Sequence, residues 1–162
     1  MDPTAAVAPD RVQIGRSLRP APGLVAGAIN SIDHGAVPQW PSIGSRRIFA
    51  YLKSHYGQLE NVIGALGRLD ASVVVFAPGM AKQQVQRLQK ANLAFSSAPL
   101  RMSIVREECD LAVCHAGGTV DVMLEAGKPL ILLPEQMEQM MTSRRVEQAG
   151  CGLWYWHQQR PA

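Results

Sequence analysis

The sequence predicts an α/β fold: a doubly wound, Rossmann-like parallel sheet with helices on both faces. Three observations carry this. From Arg46 onward, short apolar runs alternate with segments of helical periodicity. The run over residues 72–77, Ser-Val-Val-Val-Phe-Ala, is apolar without a break, as a strand covered on both faces requires. Glycine and proline cluster where such runs stop, as at Pro78-Gly79. Strands separated by helices imply right-handed βαβ units, and ligands of such sheets bind beyond the strand carboxyl ends.

Residues 47–52 form the first apolar run and are expected as a strand. Over residues 57–69, Leu59, Val62, Ile63, Leu66 and Leu69 fall on one helical face. The β-branched run 72–77 is the second strand. Residues 81–91 read as a polar helix with Val85 and Leu88 inward, residues 92–96 as a weak strand, and residues 102–108 as a short helix. The alternation then tightens: strand 111–114, helix 118–126, strand 130–133 and helix 137–149. Gly150 and Gly152 end that helix, and residues 153–155 can add a last strand.

Residues 1–44 differ. They hold Pro3, Pro9, Pro20, Pro22, Pro38 and Pro41, six of the 11 prolines, and show no sustained period. They read as a linker or the remnant of a preceding domain, in which residues 24–32 are one apolar patch and Trp40 beside Pro41 is an anchor. The folded domain is expected over residues 45–157, with 158–162 as a tail.

The composition is that of a globular domain, 162 residues with 47% hydrophobic and 18% charged residues and a formal charge of +3. Lys and Arg are scattered and no basic run carries interleaved aromatics, so nucleic acid is not an expected partner. Cys109, Cys114 and Cys151 are odd in number and lack metal-ligand spacing, which points to a reducing, cytoplasmic compartment. The first residues lack the basic start and apolar stretch of a secretory leader. No run approaches the ~18 apolar residues that span a bilayer, so no transmembrane segment is expected.

The chemistry concentrates in residues 109–152. A strand runs into His115-Ala116-Gly117-Gly118-Thr119 and a helix follows. Two glycines allow close approach to the backbone, and the first free N–H groups of a helix suit a phosphate or diphosphate. Thr119 can cap the helix or donate its hydroxyl to the same anion. His115 at the strand end can donate to a phosphate oxygen. The same five residues also read as an ordinary tight turn and cap, with His115 satisfied by backbone. Neither a GxGxxG fingerprint nor a P-loop is present. After the next strand, Glu138 and Gln139 open a helix on the same sheet edge, where a carboxylate and an amide can hold sugar hydroxyls. Glu138 also fits as an acidic residue at a helix start, and Glu135 with Glu138 as an acid/base pair is a further option.

His115-Ala-Gly-Gly-Thr119, Gly127-Lys128-Pro129, Pro134 followed by Glu138-Gln139, and Arg145-Val-Glu-Gln-Ala-Gly150 together resemble the C-terminal donor domain of GT-B glycosyltransferases. The bacterial and plant UDP-glycosyltransferases are the nearest group, with a His-x-Gly-Gly-x-Gly-Thr-like loop, a Gly-x-Pro and a Pro-x-x-x-Asp-Gln. Ala98-Pro99 is similar to their loop against the nucleotide base, and residues 47–54, ending in Ser54, to their first strand and loop. The similarity covers residues 38–156 and is strongest over 109–152. Three departures stand out: Glu138 replaces Asp, the glycine loop is one residue shorter, and Val122 stands where many members carry a ribose-binding Glu.

The resemblance implies one half of a GT-B architecture. His115, Gly117, Gly118, Thr119 and Ser54 would hold the donor diphosphate, Glu138 and Gln139 the sugar, and Ala98 and Pro99 the base. The nucleotide-sugar, UDP- or dTDP-linked, would be the substrate, and neither cofactor nor metal is implied. The base that activates the acceptor hydroxyl comes in this family from an N-terminal domain that this chain lacks, so no catalytic residue is assigned and the chain alone is expected to be inactive. An acceptor domain, or a separate acceptor subunit, is the implied partner. A non-catalytic nucleotide-sugar binding module, or a different Rossmann-like enzyme such as a sugar-nucleotide epimerase, are the other readings. A domain that docks on a partner should expose apolar surface, for which the Pro-rich stretch and Trp154, Tyr155 and Trp156 are candidates.

Overall fold

The computed structural model describes residues 34–156. The expected residues 1–33, with their apolar patch, and the tail lie outside them. In chain order the elements are β1 (Arg47–Tyr51), α1 (Leu59–Leu66), β2 (Ser72–Phe76), α2 (Lys82–Leu88), β3 (Leu93–Ser96), α3 (Met102–Glu108), β4 (Leu111–Cys114), α4 (Thr119–Glu125), β5 (Leu130–Leu132), α5 (Met137–Gln148) and β6 (Gly152–Trp154). Every element the periodicity predicts is present, and the differences are one to three residues at element ends.

The six strands form one sheet in the order β3-β2-β1-β4-β5-β6, every pairing parallel. This is the doubly wound order, and the winding reverses between β1 and β4. Alternate residues of each strand feed two separate cores. Ile48, Ala50, Val73, Val75 and Val113 pack under Leu59, Ile63 and Leu66 of α1. Phe49, Val74, Ala112, Cys114, Leu130 and Leu132 pack under Val105 of α3, Val120 and Met123 of α4 and Val146 of α5. Covering both faces explains why the strand segments are uniformly apolar. The polar helix α2 has no fully buried residue, and its Val85 and Leu88 are half-buried.

Part of the Pro-rich segment belongs to the domain. Ala36 bridges Leu100: its N–H donates to the Pro99 carbonyl and its own carbonyl accepts from Arg101 N–H. Trp40 packs on the α3–α4 core, its Nε1–H donates to Glu108 at 2.7 Å, and the Arg47 guanidinium lies 5.6 Å from its ring centre. The sequence marks Trp40 as an anchor, and the structure supplies its partners, Glu108 and Arg47, which the spacing could not name. At the other end Trp154 completes the core, while Leu153 and Tyr155 are exposed.

Burial pushes the Cys109 thiol up to about 11 and the Cys114 thiol up to about 12, whereas Cys151 is half-buried. Thiolate, not thiol, is the reactive species. Titration with a chromogenic disulfide is therefore expected to count one reactive thiol per native chain and three after unfolding; fast reaction of all three natively would contradict the packing. No helix among the described residues is long and apolar enough to cross a membrane.

Candidate functional site

The site forms where the sheet winding reverses, at the carboxyl ends of β1, β4 and β5. β4 ends at Cys114, and His115 follows as a buried residue. Its Nδ1 lies 2.7 Å from the Leu133 carbonyl and its Nε2 3.1 Å from the Lys53 amide. A carbonyl only accepts and an amide N–H only donates, so the partners assign the proton to Nδ1 and the lone pair to Nε2. One neutral imidazole thus ties the loops after β1, β4 and β5. Burial holds its pKa below the ordinary histidine value, against the opposing influence of the Leu133 hydrogen bond and the Glu135 charge. Tyr56 meets the ring edge-on at 4.8 Å.

Gly117 and Gly118 are exposed directly above this anchor. Neither has a positive φ, and Gly118 is helical at φ −57°, ψ −20°. The backbone therefore does not demand glycine at 118; what glycine provides is bare backbone. Thr119 opens α4 half-buried, and no side chain caps this helix start. The first-turn N–H groups of any helix lack intrahelical acceptors. Val122 points into the protein and Asp121, beside it, is exposed, so α4 presents no carboxylate at the Val122 position.

The loop after β5 contributes Glu135 through Gln139. Gln139 is half-buried, and its Oε1 accepts from the Glu135 amide at 2.8 Å, closing the turn into α5. Glu138 is exposed in the first turn. The Lys53 ammonium is 2.8 Å from Glu135 Oε2, which lies 3.6 Å from His115 Nδ1. That oxygen is buried and has no hydrogen-bond partner of suitable geometry, and neither has the buried Tyr56 hydroxyl. The Lys53–Glu135 contact is therefore a charge pair off the line a hydrogen bond needs.

Not every expected residue gathers here. Ser54 sits by the β2–α2 turn, where a Cβ on Gly79 would lie 2.9 Å from its Oγ. It lines a recess of about 400 Å³ with Tyr56, Glu60 and Gln84. Ala98 and Pro99 are exposed in the β3–α3 loop, shaped by the Ser96 hydroxyl on Ala98 and by Ala36 on Pro99. A second recess, about 430 Å³, lies at the carboxyl ends of β2 and β3 between Pro78, Met80, Val85 and Phe95. It is two to three strands from β4, or ~10–14 Å at the usual strand spacing. Tyr56 belongs to no motif, and Lys53 lies in the resembling segment 47–54 without being singled out there; the available signal is position, since a polar residue just past a parallel strand's carboxyl end faces the ligand edge. Among the described residues no His, Cys, Asp and Glu side chains converge as a metal centre.

No protein-family model and no curated protein matches the sequence. Solved structures do resemble the fold. The glycotransferase of kitacinnamycin aligns at 17% identity and a TM-score of 0.60, over 74% of this chain and 32% of its own. The glycosyltransferase VinC in complex with dTDP aligns at 19% and 0.59, over 71% and 30%. SnogD from Streptomyces nogalater aligns at 24% and 0.58, over 75% and 34%. The chain spans about a third of the length of these glycosyltransferases. At such identities the likeness establishes the fold alone, a Rossmann-like parallel sheet of the kind found in these glycosyltransferases.

Proposed function

We propose that this chain is the donor-binding domain of a glycosyltransferase, holding a UDP- or dTDP-sugar for transfer of a hexosyl group to an acceptor hydroxyl. The observation that carries the reading is the bare Gly117-Gly118 loop at the reversal of the sheet, braced from below by a neutral imidazole. An oxyanion approaches such a loop without meeting a side chain, and the first-turn amides of α4 and the Thr119 hydroxyl receive it. The single ring proton of His115 goes to Leu133, so in this reading His115 serves the diphosphate by fixing the loop. Gln139 keeps its amide nitrogen as a donor for a sugar hydroxyl while its oxygen closes the turn, and exposed Glu138 supplies the acceptor. The base rests toward Ala98 and Pro99. Two neighbours of the same fold, VinC and the spinosyn rhamnosyltransferase SpnG, were solved with thymidine diphosphate, which supports this ligand class.

In this reading the nucleotide-sugar is a substrate and no cofactor is called for. The general base and acceptor site come from another domain or subunit, and the isolated chain binds without turning over. The proposed setting is a reducing cytoplasm. A non-catalytic nucleotide-sugar module is the second reading, favoured by one observation: Val122 is turned inward where a ribose-binding carboxylate would stand.

Isothermal titration of the chain with UDP, dTDP and GDP tests the proposal. Binding of a pyrimidine nucleotide in the micromolar to sub-millimolar range is expected. Thr119→Ala is expected to weaken it roughly tenfold, the value of one hydrogen bond to a charged group. Absence of binding by all three nucleotides would refute the assignment.

A further inference from the structure

Among the described residues, Lys53 and Glu135 form the one charged pair at the carboxyl edge of the sheet that bridges two of the loops around His115. Three features separate this pair from an ordinary surface ion pair. It is partly sunk, with side-chain exposures of 31% and 21%. It is electrostatically close yet geometrically imperfect, because Glu135 Oε2 is buried and unpartnered although an ammonium lies 2.8 Å away. Its immediate surroundings are also unsatisfied, since the buried Tyr56 hydroxyl has no partner either. A carboxylate oxygen removed from water without hydrogen bonds leaves the contact resting on Coulomb attraction alone, and a flexible lysine head can exchange it for a better anion.

The backbone fixes where that head can go. The Lys53 amide donates to His115 Nε2, so the lysine starts from the residue that braces the Gly117-Gly118 loop. A diphosphate on that loop presents more negative charge than one carboxylate, and it presents it to the same small region. Glu135 would repel such a ligand unless a cation lies between them. Charge-assisted hydrogen bonds from a lysine are among the stronger polar contacts available in a partly closed site.

Resting on the donor-site reading above, we infer that Lys53 is a transferable cation: paired with Glu135 when the site is empty, it moves to the diphosphate of the bound nucleotide, with Glu135 as a positioning residue that parks it. Removing Glu135 therefore frees Lys53, and removing Lys53 costs both the contact and the screening of Glu135. The pair makes binding an exchange of partners for one ammonium, which favours ligands with a full diphosphate over those with fewer phosphates.

The experiment is a double-mutant cycle of Lys53→Met and Glu135→Gln in the full chain. UDP and dTDP, and their monophosphates, are titrated over a range of NaCl concentrations, and the thermal midpoint of each variant is recorded to monitor folding. Lys53→Met is expected to weaken diphosphate binding about tenfold, to weaken monophosphate binding less, and to flatten the salt dependence. Glu135→Gln is expected to tighten diphosphate binding by about threefold or more, an effect that a purely structural role for the pair would not produce. In the Glu135→Gln background Lys53→Met must still cost about tenfold. Unchanged binding by Lys53→Met, a loss that vanishes once Glu135 is neutralised, or weaker binding by Glu135→Gln overturns the inference and leaves the donor-site reading standing. A wild-type chain that binds no nucleotide overturns both.

Discussion

Replacing His115 by alanine is expected to destabilise the domain by about 3 kcal/mol, with a fall in thermal midpoint on the order of 10 °C or more. The ring accepts from the Lys53 amide and donates to the buried Leu133 carbonyl. Truncation leaves both backbone groups without partners, at about 1–3 kcal/mol each. It also opens a void beside Tyr56. The same residue sets a pH dependence whose sign follows from burial. The folded-state pKa of His115 lies below the ordinary histidine value, so the unfolded chain takes up its proton first as pH falls. The stabilising contribution is fully present above about pH 6.5 and is lost progressively as pH drops through that value toward the folded-state pKa. Protonated Nε2 can no longer accept from Lys53, the structural counterpart of that loss. Urea unfolding of wild type and variant at several pH values between neutral and mildly acidic checks both parts. A wild type with no more pH dependence than His115→Ala would show that the ring is not held neutral by the fold.

Gly118→Ala is expected to leave stability within about 1 kcal/mol of wild type while lowering nucleotide affinity at least tenfold. The helical φ and ψ of Gly118 are open to any residue. Alanine gains helix propensity there and loses only a modest capping preference. Its methyl group, however, sits on the exposed backbone that an oxyanion of the donor would approach. Gly44 makes the contrast. Its φ is +76°, and a Cβ would lie 2.6 Å from the Ala71 backbone, so Gly44→Ala should unfold the domain at lower temperature without a specific effect on ligand. Paired melting and titration of the two variants separate a glycine kept for the ligand from one kept for the fold. Equal loss of stability and affinity in Gly118→Ala would remove the loop from the donor site.

Most of the fold can be read along the chain. The run at residues 72–77 announces a strand buried on both faces, and β2 occupies Ser72–Phe76 with its side chains alternating between the two cores. The face of Leu59, Val62, Ile63, Leu66 and Leu69 announces α1; Leu59, Ile63 and Leu66 are buried, Val62 is half-buried, and Leu69, beyond the end of the helix, is exposed. The candidate site is marked by the same kind of local signal, a strand running into two glycines at the carboxyl edge of the sheet. α2 is the weak case: its pattern places Val85 and Leu88 inward, but a helix at the end of the sheet has little to cover, and both stay half-buried.

What local pattern cannot supply is the identity of partners distant in sequence. The strand order that puts β1 beside β4 brings Lys53 under His115, and the pairing of β4 with β5 brings Leu133 and Glu135 to the same ring. The sequence alone leaves His115 open between an anion donor and a residue satisfied by backbone; the tertiary contacts commit its proton to Leu133. The docking of Trp40 on Glu108 is of the same kind, as it draws part of an apparently linker-like segment into the domain. Periodicity determines which face of each element is apolar, since that depends on a few neighbouring residues and the hydrophobic effect. Tautomer, ion pairing and the docking of irregular chain depend on which surfaces the sheet order brings together, and only the packed structure decides them.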